Sequence, residues 1–173
     1  METPAFEKRF DADRIAARVE EVARRLDEDF HGDPVVLLSI LKGAAFFAAD
    51  LARRMRSGIS IEYISVRRAE GSDPILQIDF VTGFSLRGRP VVLLKDVVNT
   101  GVIETYLSDQ LRAAGVQTLR IAAIVDKPHE RKTDLSVDYP LFTSEGGTFV
   151  GYGMEFQGRH GNLPYVAELA AGQ

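Results

Sequence analysis

The chain has no cysteine among its 173 residues, which removes disulfides, thiol nucleophiles and cysteine metal sites together. It lacks any apolar run long enough for a helix to cross a bilayer. Positive charge is not in excess, since 21 Lys and Arg stand against 25 Asp and Glu, for a formal net charge of -4 and a pI near 5.4. Binding a nucleic-acid backbone needs a concentrated positive surface, so nucleic acid is not expected as a main partner. Also missing are a Gly-x-Ser-x-Gly elbow, a Walker lysine, a His-Glu-x-x-His pair and a glycine-rich dinucleotide fingerprint. The three histidines, His31, His129 and His160, fall in unrelated loops and read as surface residues. Residues 1–14 are too polar and acidic for a signal peptide, so a soluble cytoplasmic protein is expected, with no membrane partner.

What is present is a hydrophobic content of 45%, enough for one sizeable core, with no composition shift to mark a linker or a repeat. A single domain spanning 1–173 is expected. Residues 13–30 carry Ile15, Val19, Val22 and Leu26 at helical spacing, a surface helix with one buried stripe. A short apolar strand at 35–40 leads through Leu41-Lys42-Gly43 into a helix from Phe46 to Met55. Strands follow at 59–66 and 75–81, separated by a polar, turn-rich loop at 67–74 that begins Arg67-Arg68. A central strand at 91–94 is a continuous β-branched and aliphatic run, as burial on both faces requires. The helix at 102–114 is expected to turn Val102, Ile103, Tyr106, Leu107 and Leu111 toward the sheet, and Gly115 closes it. Further strands are read at 118–125, at a short edge near 137–142, and at 148–151 as a last core strand. Residues 126–138 read as a charged loop, and the tail from 155 returns over the domain. Strands alternating with helices predict an α/β fold with a mostly parallel central sheet flanked by helices. In such sheets ligands bind at the carboxyl ends of the strands.

The stretch VVLLKDVVNTG at 91–101 organises the rest. After the strand, Asn99-Thr100-Gly101 supplies a hydroxyl, a residue free in its backbone angles, and the exposed amides of a helix N-terminus, which outlines a phosphate cradle. Alone, a Thr-Gly pair is also what an ordinary strand-to-helix turn contains. With Ser39-Ile40-Leu41-Lys42-Gly43, Val125-Asp126-Lys127-Pro128, Val150-Gly151-Tyr152-Gly153 and Asn162-Leu163-Pro164-Tyr165, the chain resembles the hypoxanthine-guanine phosphoribosyltransferases. The motifs come in that family's order and at its intervals over nearly the whole length.

The resemblance implies a type I phosphoribosyltransferase fold with a small hood from the C-terminal tail. It implies glycosyl transfer between a 6-oxopurine-like base and phosphoribosyl pyrophosphate, with magnesium as cofactor, in a homodimer or homotetramer. Thr100 and Gly101 then hold the 5′-phosphate, and the Leu41-Lys42-Gly43 loop holds the diphosphate, with the peptide before the lysine often cis. Lys127 donates to the base's six-position oxygen; a lysine can only donate, so it selects a carbonyl there. Phe149 lies beside the base, because the usual stacking position falls on Thr148. Glu155 stands where an aspartate helps bind the metal.

Two of the three catalytic positions depart from the family. Its acidic pair falls on Lys95-Asp96, so Asp96 can still accept from ribose hydroxyls while Lys95 cannot. A lysine there repels a metal and attracts phosphates. Asn99 replaces the aspartate that manages the purine proton, and an amide does not titrate near neutrality, so acid-base help of about 10²–10⁴-fold is lost. Ile103 stands for a second threonine, Gly161 for an arginine with Arg159 as its nearest substitute, and Arg67-Arg68-Ala69 for a Ser-Tyr lid. The standard reaction is therefore expected to be weak or diverted to an unusual base or donor. The alternative is a catalytically silent nucleotide- or phosphosugar-binding paralogue, acting as a regulator or partner subunit.

Overall fold

The computed structural model describes residues 5–68, 76–80 and 85–170. Its first element is a strand that the sequence reading did not anticipate, β1 (Phe6–Phe10). Asp11 then caps α1 (Ala12–Asp29), its carboxylate accepting from the Arg14 amide at 2.8 Å. The apolar stripe of α1 is the expected one, and Ile15, Val19, Val22, Ala23 and Leu26 are all buried. β2 (Val35–Leu41) follows, then α2 (Ala45–Ala52), which stops short of Met55. β3 (Ile59–Arg68) continues two residues past the expected end, and β4 (Leu76–Phe80) returns beside it. The rest of the loop expected at 67–74 lies outside the described residues.

β5 (Pro90–Val98) also outruns its apolar core, so Lys95 and Asp96 are strand residues. α3 (Val102–Ala113) shows a face different from the expected one. Val102, Ile103 and Tyr106 are exposed, and the buried stripe is Glu104, Leu107, Ser108 and Leu111. Both sets fit a helical period; the sequence favoured the more apolar, whereas the structure buries Glu104 with Leu107, Ser108 and Leu111. After β6 (Thr118–Asp126) comes a single 3-10 turn at Pro128–Glu130, then β7 (Tyr139–Thr143), β8 (Phe149–Val150) and β9 (Val166–Leu169).

The main sheet runs β4-β3-β2-β5-β6-β7, parallel throughout except for the antiparallel β3–β4 pair at one edge. One face packs on α1 and α2 through Val35, Leu37, Val92, Leu94 and Ile124. The other packs on α3 through Val36, Leu38, Val91, Leu93, Leu107 and Leu111. This is the period of two that places alternate residues of a doubly covered strand in opposite cores. A second sheet, β1-β9-β8, is antiparallel and forms the hood. Residues 148–151 are thus not a strand of the main sheet, as the sequence led us to expect, and the hood draws on both ends of the chain. Among the described residues no helix is long and apolar enough to cross a membrane.

Candidate active site

The sheet order turns at β2 and β5: from β2 the chain steps outward to β3, and from β5 it steps the other way to β6 and β7. A crevice opens beyond the carboxyl ends of strands that diverge in this way. The Leu41-Lys42-Gly43 loop leaves β2 at that point, and its Leu41–Lys42 peptide is cis. Asp96 on β5 presses against it so closely that a Cβ on Gly43 would lie 2.0 Å from the Asp96 Oδ2. Only glycine fits there. The loop also meets the hood, since a Cβ on Gly153 would lie 2.5 Å from the Gly43 carbonyl oxygen.

At the end of β5, Gly101 takes φ +78° and starts α3, whose first amides are free of helical partners. Arg131 and Thr133 lie directly on this turn, at 2.8 Å and 2.7 Å from where a Gly101 Cβ would be. Arg131 donates to the Asn99 carbonyl at 3.0 Å and to the Asp126 carboxylate, and the Lys132 amide donates to the Thr100 carbonyl at 2.9 Å. The stretch 126–138, read from sequence as a charged loop, braces the Gly101 turn. The Asn99 side chain is exposed at the mouth of the turn, and Ile103 is exposed beside it.

On the β6 side, Lys127 is only 5% exposed. Its ammonium donates to the Gly147 carbonyl, lies 3.5 Å from Glu130 Oε1, and stands 5.5 Å over the Phe149 ring. Phe149 itself is buried in the core shared with α1 and α2, so it supports the lysine and does not present an open face; Thr148, at the head of the strand, is exposed. Glu155 lies on the hood with its Oε2 3.4 Å from Lys42 Nζ. A Cβ at Gly161 would lie 3.0 Å from Glu155 Cγ, so Gly161 packs against that side chain. Arg159 is exposed and pairs through its backbone with Phe156.

The Lys95 ammonium donates to Asp96 Oδ1, which also accepts from the Val97 amide at 2.8 Å. Its side chain is 18% exposed. Burial pulls it below the usual lysine range, and Glu104 works in the opposite direction. Glu104, only 4% exposed, is itself pushed up by burial, against its own backbone amide and the charges of Lys95 and Arg131. Sequence reasoning missed both Glu104 and Arg131. The available signal was an acid at i+3 from a helix-starting glycine, one turn from a strand-end lysine of opposite charge.

The structure therefore gathers Leu41, Lys42, Gly43, Lys95, Asp96, Asn99, Thr100, Gly101, Lys127 and Glu155 around the carboxyl ends of β2, β5 and β6. Comparison with known proteins bears on the family. The sequence profile of the phosphoribosyl transferase domain matches residues 9–157. A hypoxanthine-guanine phosphoribosyltransferase of Staphylococcus aureus is 32% identical over 152 residues, 86% of this chain and 85% of that protein. Among solved structures, a hypoxanthine-guanine phosphoribosyltransferase of Bacillus anthracis superposes with a TM-score of 0.88 at 26% identity, covering 97% of this chain and 99% of that one. A Staphylococcus aureus hypoxanthine phosphoribosyltransferase gives 0.87 at 29% identity, covering 95% and 91%. With sheet order, hood, turn and loop all in agreement, the chain belongs to the hypoxanthine-guanine phosphoribosyltransferase family of type I phosphoribosyltransferases.

Proposed function

We propose that the protein binds a phosphoribosyl diphosphate and a 6-oxopurine-like base in this crevice and transfers the ribosyl group between them. In that transfer the bond from the anomeric carbon to the diphosphate oxygen breaks, and its electron pair leaves with the diphosphate. A purine ring nitrogen supplies the pair for the new C–N bond and gives up its proton. The observation that carries the reading is the meeting of the Gly43 loop and Asp96 at the switch between β2 and β5, next to the Gly101 turn. The turn offers helix-start amides to a phosphate. The loop offers backbone to a diphosphate, and Lys127 offers a donor to a ring carbonyl.

Asn99 cannot take the departing proton, so it leaves to water or stays until the product dissociates. Rate then comes from positioning and charge alone, which are substantial in their own right. The standard reaction is slow for that reason, or the natural base or donor is one that needs no such help. A second reading, a nucleotide- or phosphosugar-binding regulator or partner subunit without turnover, is favoured by the same Asn99 and by the capping of Asp96 by Lys95. Self-association as a homodimer or homotetramer belongs to either reading, by analogy with the family.

The test is to incubate the protein with phosphoribosyl pyrophosphate and hypoxanthine or guanine, measure diphosphate release, and titrate each ligand calorimetrically. Slow but finite release is expected, with saturable donor binding. Turnover at ordinary enzyme rates contradicts an impaired standard reaction, and tight nucleotide binding without release selects the second reading.

A further inference from the structure

Both carboxylates that a metal would use in this crevice carry an ammonium group of the chain itself. Lys95 Nζ donates to Asp96 Oδ1, and Lys42 Nζ lies 3.4 Å from Glu155 Oε2. Among the described residues no group of three or more His, Cys, Asp and Glu could hold a metal ion. Magnesium takes oxygen ligands, commonly one or two carboxylates plus substrate phosphates, and it needs those carboxylates free. The residues present do not fit it.

Lys95 is not a stray surface lysine. It donates to Asp96, which lines the crevice against Gly43, and it feels the charge of Glu104, which is buried on α3. Glu104 is also countered by Arg131. Counting Asp126, which Arg131 also holds, three carboxylates face two cations here, and one of those cations is an ammonium bonded to a carboxylate of the crevice. An ammonium is a compact point charge with three donors, able to bind phosphate oxygens.

We propose that the Lys95 ammonium, bonded to Asp96, together with the Lys42 ammonium under the hood, takes the place of the divalent cation against a sugar diphosphate. Donor binding then needs no magnesium. The proposal rests on reading the crevice as a phosphoribosyl diphosphate site, and its test separates the two.

Phosphoribosyl pyrophosphate is titrated calorimetrically into the protein in excess EDTA and again in excess magnesium. The two dissociation constants agree within about 3-fold for the natural chain. Lys95→Met weakens binding in EDTA by about 10-fold, the size of one charge-assisted contact. Lys42→Met, at a side chain 79% exposed where folding is not at stake, weakens it by several-fold and serves if the Lys95 variant does not fold. A requirement for magnesium of 10-fold or more in the natural chain overturns the proposal while leaving the crevice a donor site. Unchanged affinity of both lysine variants in EDTA also overturns it. Absence of binding in both buffers overturns the donor-site reading itself, and the proposal with it.

Discussion

The two walls of the crevice are made of different material. The β2 wall is backbone: Gly43 fits under Asp96 only because it has no side chain, and Gly153 packs on the Gly43 carbonyl. The β5–α3 wall is side chains: Lys95, Asn99, Ile103, Glu104 and, from the loop after β6, Arg131. Amides and carbonyls belong to every residue, so a backbone site keeps its chemistry as long as the glycines that permit the approach are kept. A site made of side chains changes its chemistry one substitution at a time. On the proposed reading, a chain can in this way keep the anchoring half of such a site while its reacting half changes.

The strongest way to break the comparison is to restore the reacting wall. Lys95→Glu with Asn99→Asp returns both carboxylates, but it would set three acids together, since Asp96 accepts from Lys95 and Glu104 acts on its charge. Glu104→Gln is therefore included. The triple variant is expected to raise the rate of diphosphate release with hypoxanthine by about 10²–10⁴-fold, the range of acid-base assistance. No increase would move the cause to Ile103, Thr148 or Gly161.

Next in size is Arg131→Met. The Arg131–Asp126 pair is almost wholly buried, with side chains 10% and 12% exposed, and the guanidinium also holds the Asn99 carbonyl. Removing one partner of a buried pair leaves an uncompensated charge, at a cost of about 3 kcal/mol. For a chain of this length that is a fall in Tm on the order of 10 °C. Donor affinity should fall with it because the phosphate turn loses its brace. A Tm within about 2 °C of the natural chain would show that Arg131 is not structural.

The sequence carried the sheet, the two covering layers and the anchoring loops, because these follow from apolar period and from glycine at fixed spacing. It did not carry β1, whose five residues FEKRF show no buried run and become a strand only by pairing with β9. It did not carry the rotation of α3 either. Val102, Ile103 and Tyr106 made the more apolar face, and the charges that partly offset the burial of Glu104 lie on two other elements, β5 and the loop after β6, which no local window contains. Lys127 and Arg131 looked like members of a charged loop for the same reason: their burial depends on Gly147, Phe149 and the Gly101 turn, all distant in the chain.

Two glycines test the packing of the turn that ends β5, one within it and one before the strand. Gly101 and Gly88 both take positive φ, +78° and +71°. A Cβ on Gly101 meets Thr133 Oγ1 and Arg131 Cδ, whereas a Cβ on Gly88 meets nothing within 4 Å. Gly88→Ala should therefore cost only the backbone term, about 1 kcal/mol, and Gly101→Ala about 2–3 kcal/mol. Thermal unfolding of the two variants measures the difference. Equal losses would mean that the phosphate turn is not packed as the structure shows.

The smallest effect is also the most specific to the side-chain wall. Burial raises the Glu104 pKa in the folded state. A raised carboxylate favours folding fully at pH below its unfolded value, about 4.3, and that contribution is lost as pH rises through the folded value. Glutamine cannot ionise, so Glu104→Gln loses nothing over the same window. The variant's stability relative to the natural chain should thus increase as pH rises above the unfolded value and level off once pH has passed the folded one. The same substitution takes from Lys95 a charge that raises its pKa. Burial then acts on that ammonium unopposed by Glu104, and Lys95 should titrate at lower pH in the variant, which NMR of the isotopically labelled lysine would follow. A stability difference that does not change with pH, together with an unmoved Lys95 titration, would mean that the buried glutamate and the lysine in the crevice wall are not coupled. The two walls would then differ in composition but not in the way their charges depend on each other.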